Sequence, residues 1–126
     1  MAKAQLITVV AAGLTYCAAA YAHHSFASQY DGDAPVTLTG NITKVEWLNP
    51  HARFYIDVVG EDGSVTSWNL ELASPNVLRR NGWSRNSLEV GDHVTVEGSR
   101  ARDGSPMANA RTVVLKDGTS VFARER

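Results

Sequence analysis

A chain of 126 residues, 44% hydrophobic and with 12 Lys and Arg against 13 Asp and Glu, is long enough for one modest core and too balanced in charge to attract nucleic acid. Its single cysteine excludes a disulfide framework and a cysteine-based zinc site.

The first stretch reads as an address. Lys3 stands next to the start, and an apolar run from Leu6 to Leu14 follows with no acidic residue. The run is too short to span a bilayer, and Ala20-Tyr21-Ala22 places small residues at the two positions a signal peptidase requires. The expectation is a signal peptide over residues 1–22, cut after Ala22, and a periplasmic or secreted protein with no transmembrane segment after cleavage. Cys17 offers an alternative: Leu14 stands three places before it, as in a lipoprotein acceptor, whereas Tyr16 is bulkier than that reaction prefers. Cleavage after Ala22 removes the only thiol and Lys3, leaving a mature chain of 104 residues with 11 basic against 13 acidic side chains.

Residues 23–35 form a polar N-terminal segment in which Asp31-Gly32-Asp33 and Pro35 mark a loop. The domain proper is expected over residues 36–126. Val36, Leu38, Gly40 and Ile42 share one face of a first strand at period two; the phase slips at Thr43-Lys44, and Val45 and Trp47 resume the apolar face. A slip beside a glycine predicts a β-bulge or sharp bend, the device by which a long strand curls. Asn49-Pro50 ends that strand.

A second strand, from about His51 to Val59, turns Ala52, Phe54, Ile56 and Val58 inward and His51, Arg53, Tyr55 and Asp57 outward. Asp62-Gly63 supplies a hairpin turn. The third strand, Val65 to Leu72, buries Trp68, Leu70 and Leu72 and leaves Ser67, Asn69 and Glu71 outside. Ser74, Pro75 and Gly82 bracket one helix of at most two turns. Val94 and Val96 face inward in a fourth strand, a charged loop runs from Arg100 to Ser105, Ala108 to Leu115 gives a fifth strand, and Asp117-Gly118 turns into a short sixth. Trp47, Trp68 and Trp83 are assigned to the core. Three strands, a short helix, two strands and a terminal hairpin give an all-β fold with a small helical component, an OB-like Greek-key β-barrel of five to six strands with the helix between strands three and four.

Several segments together resemble a family of small exported bacterial proteins of unknown function. They are the leader ending in Ala-His-His-Ser-Phe, Pro35 to Gly40, Val45 to His51 with its Asn-Pro-His, Gly82-Trp83, Gly91 to Gly98, and Asn109 to Arg111. The likeness covers the mature domain and implies export and the barrel, but no activity. One position departs from it: Arg53 puts a charge where the family more often carries an aromatic or apolar residue.

Cleavage after Ala22 would make His23 the first residue, with His24 behind it. An α-amine beside two imidazoles is a compact donor set for a transition metal. The local chemistry resembles the histidine brace of copper oxygenases, which have other folds. On a barrel of this type the outer face of strands two and three takes ligands. There the Asn-Pro-His loop brings His51 near Glu46 and Glu71, so His23, His24, His51, Glu46 and Glu71 are the candidate ligands, with copper first and zinc second. His51 after a proline also suits a structural role, bonding a nearby carbonyl. His93 alternates with inward valines and is not counted. The competing reading is a binding face for a peptide, a glycan or an envelope protein partner built on Arg53, Tyr55, Asn69 and Arg102. The sequence sets no oligomeric state. Catalysis has little support: no nucleophile elbow, phosphate loop or dinucleotide fingerprint is present.

Overall fold

In the computed structural model the described residues are 26–122. The leader, Cys17, the cleavage position after Ala22 and the pair His23 and His24 lie outside them, and so do the expectations that rest on those residues. Residues 26–29 are helical and lead straight into β1 (Tyr30–Glu46). β2 (Arg53–Val59) and β3 (Val65–Glu71) follow, then α1 (Pro75–Arg80), β4 (His93–Ala101), β5 (Met107–Leu115) and β6 (Ser120–Phe122).

The long β1 organises the sheet. It pairs antiparallel with β2 along its second half and with β4 along its first, and its register on β2 shifts between Ile42 and Lys44. The phase slip in the sequence is therefore a bulge in the structure. Leu38 and Ile42 on β1 meet Phe54, Ile56, Leu70, Val94, Val96, Ala108, Ala110 and Val113 in one core. Gly40 lies between them, where β1 passes so close to β2 that an added Cβ would run into the Asp57 carbonyl. Trp68 and Trp83 are buried, and Trp47 is half-buried against the same cluster.

The helix forms where its bracketing residues placed it. Ser74 Oγ accepts the Val77 N–H at 3.3 Å, Pro75 fills the first turn, and Gly82 leaves the helix at φ +88°. Its apolar stripe buries Pro75 and Leu78, with Trp83 N–H returning to Leu78 O at 2.9 Å. No described helix is long and apolar enough to cross a membrane.

Two expectations are corrected here. The six strands lie in one sheet of order β3-β2-β1-β4-β5-β6. Of its ends, β6 pairs only with β5, while β3 meets β5 in a parallel contact of three residue pairs, Asn69 with Met107, Leu70 with Ala108 and Glu71 with Asn109. These pairings define a mostly-β sheet with a small helical component, and the OB-like Greek-key barrel is set aside. The second correction concerns the start. The first strand begins at Tyr30, six residues ahead of Val36, because Tyr30 pairs with Ala101 and is itself 1% exposed. Between Tyr30 and Pro35 the register slips: β1 spends five steps where β4 spends two, from Ala101 to Ser99.

The close approach at Gly40 gives a direct test. Gly40→Ala should destabilise the fold by about 1–3 kcal/mol, the usual cost of overpacking. It would be read as a lower urea midpoint with an unchanged slope.

Candidate functional site

Glu71 ends β3 on the face opposite the core, where alternation exposes it, yet it is 6% exposed. Cross-strand pairing sets it in a polar row: Glu46 opposite Arg53, Arg53 opposite Glu71, Glu71 opposite Asn109, and Asn109 opposite Ser99. Glu71, Ser99 and Asn109 are all buried. The cover comes from the chain's own beginning. Tyr30 lies over this face with Phe26 against it, ring centroids 5.6 Å apart, and the Tyr30 hydroxyl donates to Glu71 Oε2 at 2.9 Å. Arg102 ties the same segment down. Its backbone N–H donates to Gln29 O at 3.0 Å, its Nε donates to Ala27 O at 2.6 Å, and Nη1 lies 3.7 Å from Asp31 Oδ2.

Two further side chains meet the carboxylate. Arg53 Nη2 donates to Oε2, while its Nη1 donates to Asn69 Oδ1 at 3.2 Å. His51 Nδ1 lies 3.2 Å from Oε1. The loop that carries His51 is fixed by Ala52, whose N–H donates to Ala73 O at 3.1 Å and whose carbonyl accepts from Leu72 N–H at 2.9 Å. These bonds carry the β2–β3 ladder past the end of β3, which sets His51 beside Glu71. The side chains differ sharply in access: His51 is 49% exposed and Glu71 8%. The imidazole therefore turns one nitrogen to a buried carboxylate and the rest of its ring outward.

The candidate ligands separate accordingly. His51 and Glu71 come together. Glu46 lies one strand beyond Arg53 and is engaged elsewhere, with Lys44 Nζ at 2.6 Å from Oε1 and the Tyr55 hydroxyl donating to Oε2 at 3.4 Å. The Lys44 ammonium holds the Glu46 carboxyl below the usual range. Among the described residues no group of three or more His, Cys, Asp and Glu side chains is placed to hold a metal ion. His23 and His24 are outside them. His93 is exposed and bonds Asn41 across the strands at 2.8 Å. Of the ligand-face residues, Arg53, Tyr55 and Asn69 share the β2–β3 face. Arg102 sits apart, in an open cleft of about 600 Å³ lined by Ser28, Gln29, Ala101, Asp103 and Met107.

The residue that sequence reasoning missed is Tyr30. Its signal was the spacing of Phe26 and Tyr30, four residues apart in an otherwise polar segment, which stacks two aromatics on one side of a helical turn. Glu71 was read as solvent-facing because nothing in β3 itself reveals the cover.

Fold and site together define a small mostly-β domain that holds a surface histidine on a buried carboxylate. The chain belongs to a family of unknown function, DUF6152, which matches residues 11–110. Comparison with curated proteins gives no match. The family assignment replaces the resemblance drawn from the motifs, since its description carries no signal peptide, no Asn-Pro-His motif and no barrel.

Burial, and after it the bond to Glu71, hold the Tyr30 phenol well above the ordinary tyrosine range. Folded Tyr30 keeps its proton where the unfolded chain has lost it, so its contribution is complete below about pH 10 and is lost as pH rises beyond that. Tyr30→Phe should cost about 1.5–3 kcal/mol at neutral pH, the worth of a hydrogen bond to a charged group. It should also flatten the fall in stability above pH 10; urea midpoints across pH 7–11 check both.

Proposed function

We propose that this protein is an exported, periplasmic binding module that takes a transition metal, copper first and zinc second, on His51 together with His23 and His24. The observation that carries the reading is the His51–Glu71 pair: a half-exposed imidazole whose Nδ1 lies 3.2 Å from a buried carboxylate. Metal-binding histidines are commonly held in this way.

The course of the chain supports the rest. The Tyr30 hydroxyl donates to the Glu71 carboxylate that lies 3.2 Å from His51 Nδ1, so the N-terminal strand is anchored beside the imidazole. His24 stands two residues ahead of the helical turn at 26–29 that leads into Tyr30, and two residues of chain span at most about 7 Å. Cleavage after Ala22 would add an α-amine to the donors. Docking of a peptide, glycan or envelope protein on the β2–β3 face has weaker support, because Arg53, Asn69 and Tyr55 are already bonded to one another or to Glu71 and Glu46.

The protein recovered from the cell envelope should have the mass of residues 23–126. Titrated with copper(II), it should bind one equivalent and show nitrogen hyperfine structure in its spin-resonance spectrum. His51→Ala should weaken binding by more than about 100-fold, beyond the roughly 10–100-fold that loss of an outer partner costs. Deletion of His23 and His24 should abolish the one-to-one site. Copper binding indifferent to both changes would end the metal reading and favour the docking face.

A further inference from the structure

We propose that Asp31-Gly32 is a site of covalent modification: in the folded protein Asp31 isomerises through a succinimide to isoaspartate, ahead of every other Asp-Gly bond in the chain. The site shares no residue with the metal reading above.

The chemistry needs a side-chain carboxyl placed to close a five-membered ring with the next residue's nitrogen. The Gly32 nitrogen bonds to Asp31 Cγ, and the carboxyl hydroxyl leaves with the amide proton as water. A water molecule then reopens the ring at either carbonyl. Opening at the Asp31 backbone carbonyl leaves the main chain running through Cγ, with the mass of the original chain. Glycine favours the attack because no Cβ screens its nitrogen.

Asp-Gly occurs four times, beginning at Asp31, Asp62, Asp103 and Asp117. All four glycines are exposed, and a Cβ added at any of them would meet nothing within 4 Å, so access does not separate them. Turn geometry does. Gly63, Gly104 and Gly118 sit at φ +81°, +77° and +87°. Their N–H groups donate to the carbonyl three residues back, Gly60 at 3.0 Å, Ala101 at 3.2 Å and Leu115 at 2.9 Å. The attacking nitrogen is thereby aimed into the turn.

The carboxyl is held as well. Oδ1 of Asp62 and of Asp103 accepts both the N–H and the hydroxyl of the serine two places on, each hydroxyl at 2.6 Å. Asp117 Oδ1 accepts the Thr119 N–H at 2.8 Å. These bonds keep all three carboxyls below the usual aspartate range, the serine hydroxyl leading at Asp62 and Asp103 and the Thr119 N–H at Asp117. An ionised carboxylate has no hydroxyl to lose.

Asp31-Gly32 lies elsewhere, in the slack of β1 where residues 31–34 have no partner on β4. Among the described residues no turn bond of this kind holds the Gly32 N–H, and Gly32 is not one of the glycines at positive φ. Asp31 Oδ1 accepts the Asp33 N–H at 3.0 Å, but the residue two places on is an aspartate and brings no hydroxyl. The product fits there too. An extra main-chain methylene in the slack leaves the pairing from Pro35 in step, whereas in a hairpin it would break the turn bond.

Trypsin separates the four bonds onto four peptides, with cuts at Lys44, Arg53, Arg102, Arg111 and Lys116 among others. The protein is stored warm in mildly acidic buffer, and isoaspartate in each peptide is measured by enzymatic methyl transfer and backbone fragmentation. Folded, it should form at Asp31 at least about fivefold faster than at Asp62, Asp103 or Asp117, the factor for breaking one hydrogen bond. In urea strong enough to unfold the chain the four rates should level. Gly32→Ala should suppress the Asp31 product with the urea midpoint unchanged, since the added Cβ meets nothing. No product at Asp31, or an equal or faster rate at any of the three turns in the folded protein, would overturn the proposal. So would an Asp31 excess that persists in urea, because the preference would then lie in the local sequence and not in the fold.

Discussion

The structure depends on one buried negative charge. Isolated, the Glu71 carboxylate would be too costly to bury; it stays because a guanidinium and a phenol donate to it and an imidazole lies beside it, drawn from two parts of the chain, the head of β1 and residues 51–53. Arg53 comes from the neighbouring strand, Tyr30 from the beginning of β1, and His51 from the loop between β1 and β2. Satisfying the carboxylate therefore ties the head of β1 and the start of β2 to the end of β3, which hydrophobic packing alone would leave less determined. A core specifies density well and orientation of surface groups poorly; a charge with two directional donors specifies orientation.

Much of the sheet was legible in the sequence because alternation is a local property. Ala52, Phe54 and Ile56 on one strand and Trp68, Leu70 and Leu72 on the next are buried as their period predicts, and the slip after Ile42 is a true bulge. The helix was legible for the same reason: its cap, its proline and its terminating glycine lie within nine residues of one another. Global connection was less so. Element order suggested a barrel, but order says nothing of how far β3 runs along β5, and that contact is three pairs long.

The candidate site was half legible. The meeting of His51 with Glu71 followed from placing both near one end of the β2–β3 ladder. The burial of Glu71 did not follow, because its cover is a segment some forty positions away in sequence, Tyr30, whose polar surroundings read as loop. A buried polar residue on a sheet face is invisible to periodicity whenever the covering element is remote. Asn109, opposite Glu71 in the register, is likewise buried, and its Oδ1 has no hydrogen-bond partner among the described residues.

The slipped register at the head of β1 has a consequence for how such a chain can vary. Between Tyr30 and Pro35 the strand carries surplus length over its partner, with Asp31 to Ala34 as slack. Insertions or deletions there change the slack and leave the pairing from Pro35 onward in step. A single-residue deletion between Leu38 and Ile42 would instead put the two out of phase and turn one of them away from the core, since side chains alternate strictly along a strand. One strand thus holds both an elastic joint and a rigid ruler, and the joint lies between Tyr30, which reaches the buried carboxylate, and the run that pairs in step from Pro35.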